Sequence, residues 1–202
     1  LFGQGRTSTC RSIICERGGQ VWIGADWRLC AVKQPLPSGT LDLPVAREEP
    51  VQKLDYLVAS SRTNGGYWRL ADQRVQLWTT NGMERDLGPY PWGRAPVSAA
   101  CEDRNGHLVV GTLGVGVYWF GDEGKAAWIN TSQGLSHDVV LSVSVDRENT
   151  LWVGTDGGGL NRVKRKIFEV VDVALNTTGG AVQSACEDDE GGVWIGSNGG
   201  GA

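Results

Sequence analysis

Short runs of alternating apolar and polar residues recur along the chain, each closed by a turn signal. In Val140–Val145, Val140, Ser142 and Ser144 interleave with Leu141, Val143 and Val145, the two-residue period of a strand. Asp146-Arg-Glu-Asn149 then predicts a tight turn, because Asp and Asn side chains bond nearby backbone and Asn tolerates a positive φ. Leu151–Thr155 predicts the next strand and Asp156–Gly159 a second turn. Leu160–Val163 and Ile167–Val171 predict two more strands. Gly and β-branched residues interrupt every window, so no 3.6-residue stripe supports a helix.

This unit is repeated. Cys10–Gly24, Val97–Gly111, Val140–Gly154 and Val182–Gly196 superimpose, with closing glycines 87, 43 and 42 residues apart. The double interval requires a degenerate copy. Leu57–Ser60 followed by Asn64–Leu70 fits it, as the counterpart of Leu151–Thr155 followed by Gly157–Val163. Four antiparallel strands per 40 to 50 residues make one propeller blade. The expectation is one all-β domain over 1–202, a partial β-propeller of about five four-stranded antiparallel blades. Their bounds are 10–46, 47–96, 97–139, 140–181 and an incomplete 182–202.

Repeat register also assigns side chains. Trp22, Trp152 and Trp194 share one slot with Val109 and are expected in the core between blades. Trp78, Trp128 and Phe168 are expected on an outer strand. Cys15, Cys101 and Cys186 share a slot with Val145, which predicts buried free thiols in a small apolar position.

Composition supports tight turns over disorder: 30 Gly and 9 Trp against 7 Pro in 202 residues, with 40% hydrophobic and 21% charged. The net charge of -4 and the absence of any basic run beyond Arg162–Lys166 argue against nucleic acid. No apolar run approaches the ~20 residues that span a bilayer, so no membrane contact by this segment is expected. The chain opens at Leu1 without Met or a signal peptide, as expected of a processed product or a piece of a longer protein.

Candidate chemistry is thin. Asp103–Gly106 and Asp188–Gly191 lack the ligand spacing of a calcium loop, and Gly111–Gly116 and Gly157–Gly159 lack the Lys and helix of a phosphate cradle. No metal or cofactor is expected. His107 reads as an exposed turn residue. His137-Asp138 offers a possible oriented base, but no nucleophile motif accompanies it. No catalytic residue is assigned.

Val140–Arg162, with Leu-Trp-Val-Gly-Thr-Asp-Gly-Gly-Gly-Leu-Asn-Arg at its centre and Ser132–Ser136 before it, closely resembles the two-component regulator propeller repeat. The resemblance runs from about residue 4 to 202 and is weakest between 47 and 96. It implies a propeller of usually seven blades in the extracytoplasmic, periplasmic sensor region of two-component signalling proteins, many of which sense oligosaccharides. It carries over no catalytic residue. Five copies fall short of seven blades, so the strand edges at the array ends are expected to be covered by remaining blades of a parent protein or by a second copy.

Ligand candidates are the residues that break the repeat on one face. Trp27 and Arg28 stand where other copies have glycine, and Arg62 and Asn64 occupy that turn in the degenerate copy. The connection after Trp78 is longer than its counterpart, 19 positions to Val97 against 12 from Trp128 to Val140, and holds Tyr90, Trp92 and Arg94. His137 lies in an inter-blade loop. An exposed aromatic beside an arginine suits a sugar or a protein partner. Two classes of function follow: a ligand-binding sensor propeller, or an interaction propeller without a small ligand. A propeller lyase or hydrolase is a third reading. A wet aromatic pocket, a flat apolar face, or a His/Glu/Arg cluster would favour each in turn.

Overall fold

A computed structural model describes residues 9–32, 45–61, 66–79, 81–164, 182–190 and 192–197. The chain divides into two units, Leu1–Arg165 and Lys166–Ala202. The first unit holds four antiparallel sheets, each in chain order. Blade 1 is β1 (Cys10–Cys15), β2 (Val21–Ala25), β3 (Arg28–Val32) and β4 (Val45–Pro50); blade 2 is β5 (Leu54–Ala59), β6 (Gly66–Ala71), β7 (Arg74–Thr79) and β8 (Gly82–Pro89). Blade 3 is β9 (Val97–Glu102), β10 (Leu108–Thr112), β11 (Val117–Phe120) and β12 (Ala126–Ile129), and blade 4 shows β13 (Val140–Val145), β14 (Leu151–Thr155) and β15 (Gly159–Val163). The second unit shows one hairpin, β16 (Val182–Glu187) and β17 (Val193–Ser197). A single 3₁₀ turn, Thr131–Gln133, is the only helical piece among the described residues. The architecture is the all-β propeller blade that the repeat predicts. The expected strand Ile167–Val171 lies outside the described residues.

The first strands of successive blades lie side by side, β1 by β5, β5 by β9 and β9 by β13. Antiparallel order then sends the second-to-third turns and the inter-blade connections to one face. The first-to-second and third-to-fourth turns go to the other.

Packing between blades explains the closing glycines. A Cβ on Gly24 would lie 2.2 Å from Leu54 Cδ2, and one on Gly111 2.6 Å from Val140 Cγ1. The next blade's first strand therefore rests on bare backbone. Blade 2 solves the same contact in reverse. Trp68 pairs with Val58 as Trp22 pairs with Ile14, so Leu70 occupies the glycine slot. Leu70 is buried in a core cluster with Val97 and Ala100 of blade 3, where Ala100 holds the slot of Leu57 and Val143.

This register corrects the degenerate copy. Leu57–Ala59 belongs to the first strand of blade 2 and Tyr67–Leu70 to the second, one strand earlier than the sequence comparison placed them. The extra length after Trp78 is the fourth strand, β8, and not a loop insertion. Trp78 consequently sits on a third strand and Trp128 on a fourth, so the two do not share a slot; Phe168 lies outside the described residues. Blade 1 extends through Pro50, past the expected boundary at 46.

Three turns between first and second strands share one hydrogen-bond pattern. Asp146 Oδ1 accepts from the backbone N–H of Glu148 and Thr150, and Oδ2 accepts from the Trp152 indole at 2.9 Å. Asp188 does the same with Glu190, Gly192 and Trp194. Asp103 accepts from Asn105 and His107 backbone and from the Trp119 indole, which reaches in from β11 because β10 carries Val109. Burial alone would raise the Asp103 carboxyl, but the His107 backbone N–H, the Trp119 indole and the His107 ring hold it below the usual carboxylate range.

Several burial expectations are corrected. Trp22 is buried against Tyr67 of the next blade, with ring centroids 4.9 Å apart, whereas Trp152 is half-exposed and Trp194 is 61% exposed. Each of these two indoles donates to the acid of its own turn. Cys101 and Cys186 share a register, but Cys15 pairs one residue later, with Val21, and a one-residue offset turns a side chain to the opposite face. Cys15 and Cys186 are exposed; Cys101 is half-buried, and burial pushes its thiol up to about 12. All five cysteines are free thiols. His107 is buried and not exposed, because Asp103 Oδ2 at 3.2 Å and Asp122 Oδ1 at 2.7 Å hold its two ring nitrogens.

Candidate functional site

A polar cleft of about 240 Å³ opens on the face that carries the inter-blade connections, lined by Lys53, Asp55, Gln73, Tyr90, Gly93, Arg94 and Ala95. Lys53 stands just before β5 and Asp55 is the second residue of that strand. Gln73 comes from the two-residue turn between β6 and β7, in which both Asp72 (φ 54°) and Gln73 (φ 60°) are left-handed. Such a turn matches the twist of a hairpin but strains residues other than glycine and Asn. Tertiary bonds hold it. Asp72 Oδ1 accepts from the backbone N–H of Gln52 and Lys53, and Gln73 O accepts from Tyr90 N at 2.9 Å. The turn thereby clips both inter-blade connections of blade 2.

Within the cleft, Lys53 Nζ lies 2.9 Å from Asp55 Oδ1, and the Tyr90 hydroxyl donates to Asp55 Oδ2 at 3.0 Å. Burial pushes the Tyr90 phenol well up, reinforced by the Asp55 charge and hydrogen bond, so it stays a donor. The exposed Arg94 has no ion pair or hydrogen bond among the described residues. The cleft thus presents an unpaired guanidinium fork beside a satisfied Lys–Asp–Tyr triad, an arrangement suited to a ligand carrying carboxylate and hydroxyl groups.

Of the sequence candidates, the cleft brings together Tyr90 and Arg94. Trp92 is buried and not exposed: it stacks on Tyr90 at 4.5 Å and packs against Tyr118 at 5.4 Å in the core between blades 2 and 3. Tyr90 is buried too, with only its hydroxyl end reaching the cleft. The cause in both cases is β8, which delivers the segment to the inter-blade seam. Trp27 and Arg28 share this face but do not line the cleft. Trp27 is half-buried and Arg28 pairs with Glu48 at 3.1 Å. His137 is exposed and its Nδ1 accepts from Val139 N, while Asp138 is bound by Thr131, so no His137–Asp138 pair forms. Arg62 and Asn64 lie outside the described residues; the strands flanking them are the first and second of blade 2. Lys53, Asp55 and Gln73 were missed by the sequence. Their only signal was the Lys-x-Asp spacing and the two-residue gap between β6 and β7. Among the described residues no three His, Cys, Asp or Glu side chains gather to hold a metal.

Residues 134–157 and 178–199 match the model of the two component regulator propeller family. These segments are two component regulator propeller repeats. No curated protein sequence matches the chain. Among solved structures, the chain is similar to an extracellular domain from B. thetaiotaomicron, at 19% identity and a TM-score of 0.57 over 93% of this chain and 26% of the other. That domain is assigned in one structure to a one component system and in another to a hybrid two component system. The chain is also similar to virginiamycin B lyase from Staphylococcus aureus, at 17% identity and a TM-score of 0.53 over 91% of this chain and 61% of the lyase. It therefore spans about a quarter of the extracellular domain, and at these identities both likenesses show the fold alone. The regulator propeller repeats coincide with β13–β14 and β16–β17 and the chain leading into them.

Proposed function

We propose that this chain is part of a sensor propeller, the extracytoplasmic input region of a two-component signalling protein. We also propose that it binds a hydroxyl-rich ligand of oligosaccharide type at the cleft of Lys53, Asp55, Gln73, Tyr90 and Arg94. The observation that carries the reading is the match of residues 134–157 and 178–199 to the regulator propeller model. The similar B. thetaiotaomicron domain is extracellular, in keeping with a periplasmic or extracytoplasmic place, and no described helix is long and apolar enough to cross a membrane. The cleft supports binding rather than turnover. Its acid is paired with Lys53 and accepts from the Tyr90 hydroxyl, and no nucleophile–base pair lines it among the described residues.

The ligand class follows from Arg94. An unpaired guanidinium on a rigid seam favours a carboxylate, and Gln73 and Asp55 offer partners to hydroxyls, so a uronate-containing oligosaccharide fits better than a neutral one. Calorimetric titration with neutral and uronate-containing oligosaccharides tests this. The expected result is selective binding of the acidic set, weakened about tenfold or roughly 1.4 kcal/mol by Arg94→Ala, with an unchanged unfolding midpoint. Binding by neither set, or equal binding by Arg94→Ala, overturns the assignment of this cleft.

A further inference from the structure

Trp128, on β12 of blade 3, is 51% exposed and yet held in one orientation. Its ring stacks on the buried Tyr118, its pairing partner on β11, with centroids 6.2 Å apart and planes 11° from parallel. Its Nε1 donates to Val115 O at 2.7 Å, which fastens the indole edge to the turn between β10 and β11. An exposed indole could bond water instead, so what this bond adds is orientation more than stability. One ring face rests on Tyr118 and the opposite face is left to solvent. Strand order puts the β10–β11 turn on the face of the cleft, together with the end of β12 that leads into the connection to blade 4.

Backbone contacts join this ring to the cleft. Arg94 and Ala95 line the cleft, and Pro96 O, next in the chain, accepts from Leu113 N at 2.9 Å. Leu113 opens the same turn whose Val115 holds the indole. A row of aromatic rings makes the same connection through the core. Tyr90 of the cleft stacks on Trp92 at 4.5 Å, Trp92 meets Tyr118 at 5.4 Å, and Tyr118 carries Trp128. Cleft and exposed indole thus share one rigid support. A flat aromatic ring fixed before binding offers contact area at little cost in side-chain entropy. The C–H groups on the flat side of a sugar ring suit such a face, and the hydroxyls at its rim stay hydrated. A protein partner would call for a contiguous apolar patch. Ala126, two residues earlier and so on the same side of the sheet, adds little to one.

We infer that Trp128 is an outlying sugar-stacking subsite of the cleft, so that this face selects an acidic oligosaccharide by its length as well as by its charge. This role of Trp128 presupposes the oligosaccharide site at the cleft. A chain held at Arg94 meets Trp128 as an intramolecular event, whereas one too short to span the two gains nothing from it. Calorimetric titration of the whole chain with oligogalacturonates from the dimer to the octamer tests this. Affinity is expected to rise with length by about three- to tenfold and then level off, as one aromatic stacking contact would give. Trp128→Ala is expected to fold with a midpoint close to the parent's, to bind the dimer as the parent does and to lose the gain with length. Trp128→Phe is expected to keep part of that gain, and Arg94→Ala to weaken every length. The Trp128 indole N–H resonance, assigned by its loss in Trp128→Phe, is expected to shift with the octamer and not with the dimer. Equal affinity for all lengths, a gain with length that survives Trp128→Ala, or an equal loss for dimer and octamer in that variant overturns the inference and leaves the cleft standing. Binding of no length overturns both. Self-association of the chain that Trp128→Ala abolishes would give the ring to a second copy, and overturns the subsite as well.

Discussion

Trp92 lies between Pro91 and Gly93, a setting that reads as an exposed loop anchor. It is nevertheless 5% exposed, stacked on Tyr90 and set edge-on to Phe120 at 6.4 Å. Aromatic pairs of this geometry add to what area burial alone contributes. Its Nε1 is buried without an acceptor among the described residues, so packing alone keeps it inside. Trp92→Ala is expected to cost about 3–5 kcal/mol, the range for emptying a large aromatic from a core. Trp92→Phe, which removes the orphan N–H, is expected to cost clearly less. Urea unfolding midpoints check both. A Trp92→Ala variant as stable as the parent would return this residue to the surface and reopen it as a ligand anchor.

The blade is an element whose side-chain slots tolerate exchange only in matched pairs. Gly111 admits Val140 and Val143, while Leu70 in the equivalent slot of blade 2 goes with the smaller Ala100. That reciprocal swap is why blade 2 looked degenerate. Gly111→Ala is expected to overpack the contact with Val140 at a cost of about 1–3 kcal/mol, read from the denaturation midpoint. The paired change Gly111→Ala with Val140→Ala is expected to recover part of the loss. If the single variant unfolds at the parent's midpoint, close blade contact does not explain the repeat glycine.

At the scale of the molecule, blades communicate through polar ties as well as core. Blade 2 has Ser60 where other turns have an acid, so its Trp68 indole turns to Glu102 of blade 3 at 2.9 Å. Glu102 also accepts from the Ser60 hydroxyl at 2.8 Å and from Ser61 N. One carboxylate thus replaces the missing acid of its neighbour and joins two sheets. Glu102→Ala is expected to cost about 2–3 kcal/mol, since it strands donors that bonded a charged group. A double-mutant cycle with Trp68→Phe is expected to show about 1–2 kcal/mol of coupling. Strict additivity would mean that Glu102 does not bridge the blades.

Period, turn chemistry and the equivalence of Trp22, Trp152 and Trp194 were legible in the sequence, because they depend on contacts within a strand or to the next one. Two-residue alternation and the Asp–Asn turn are local, and the 42- to 43-residue spacing repeats them often enough to name the blade and the repeat it resembles. What was not legible depended on contacts between sheets. Leu70 in place of glycine hid the strand register of blade 2, and that error alone turned β8 into a supposed loop and Trp92 into a supposed surface residue. The cleft of Lys53, Asp55, Gln73, Tyr90 and Arg94 draws on three separate segments that meet only because the turn Asp72–Gln73 clips two connections. Glu16 stands where three other turns have Asp, and only the folded turn shows that its longer side chain keeps the bond to its own indole, Trp22.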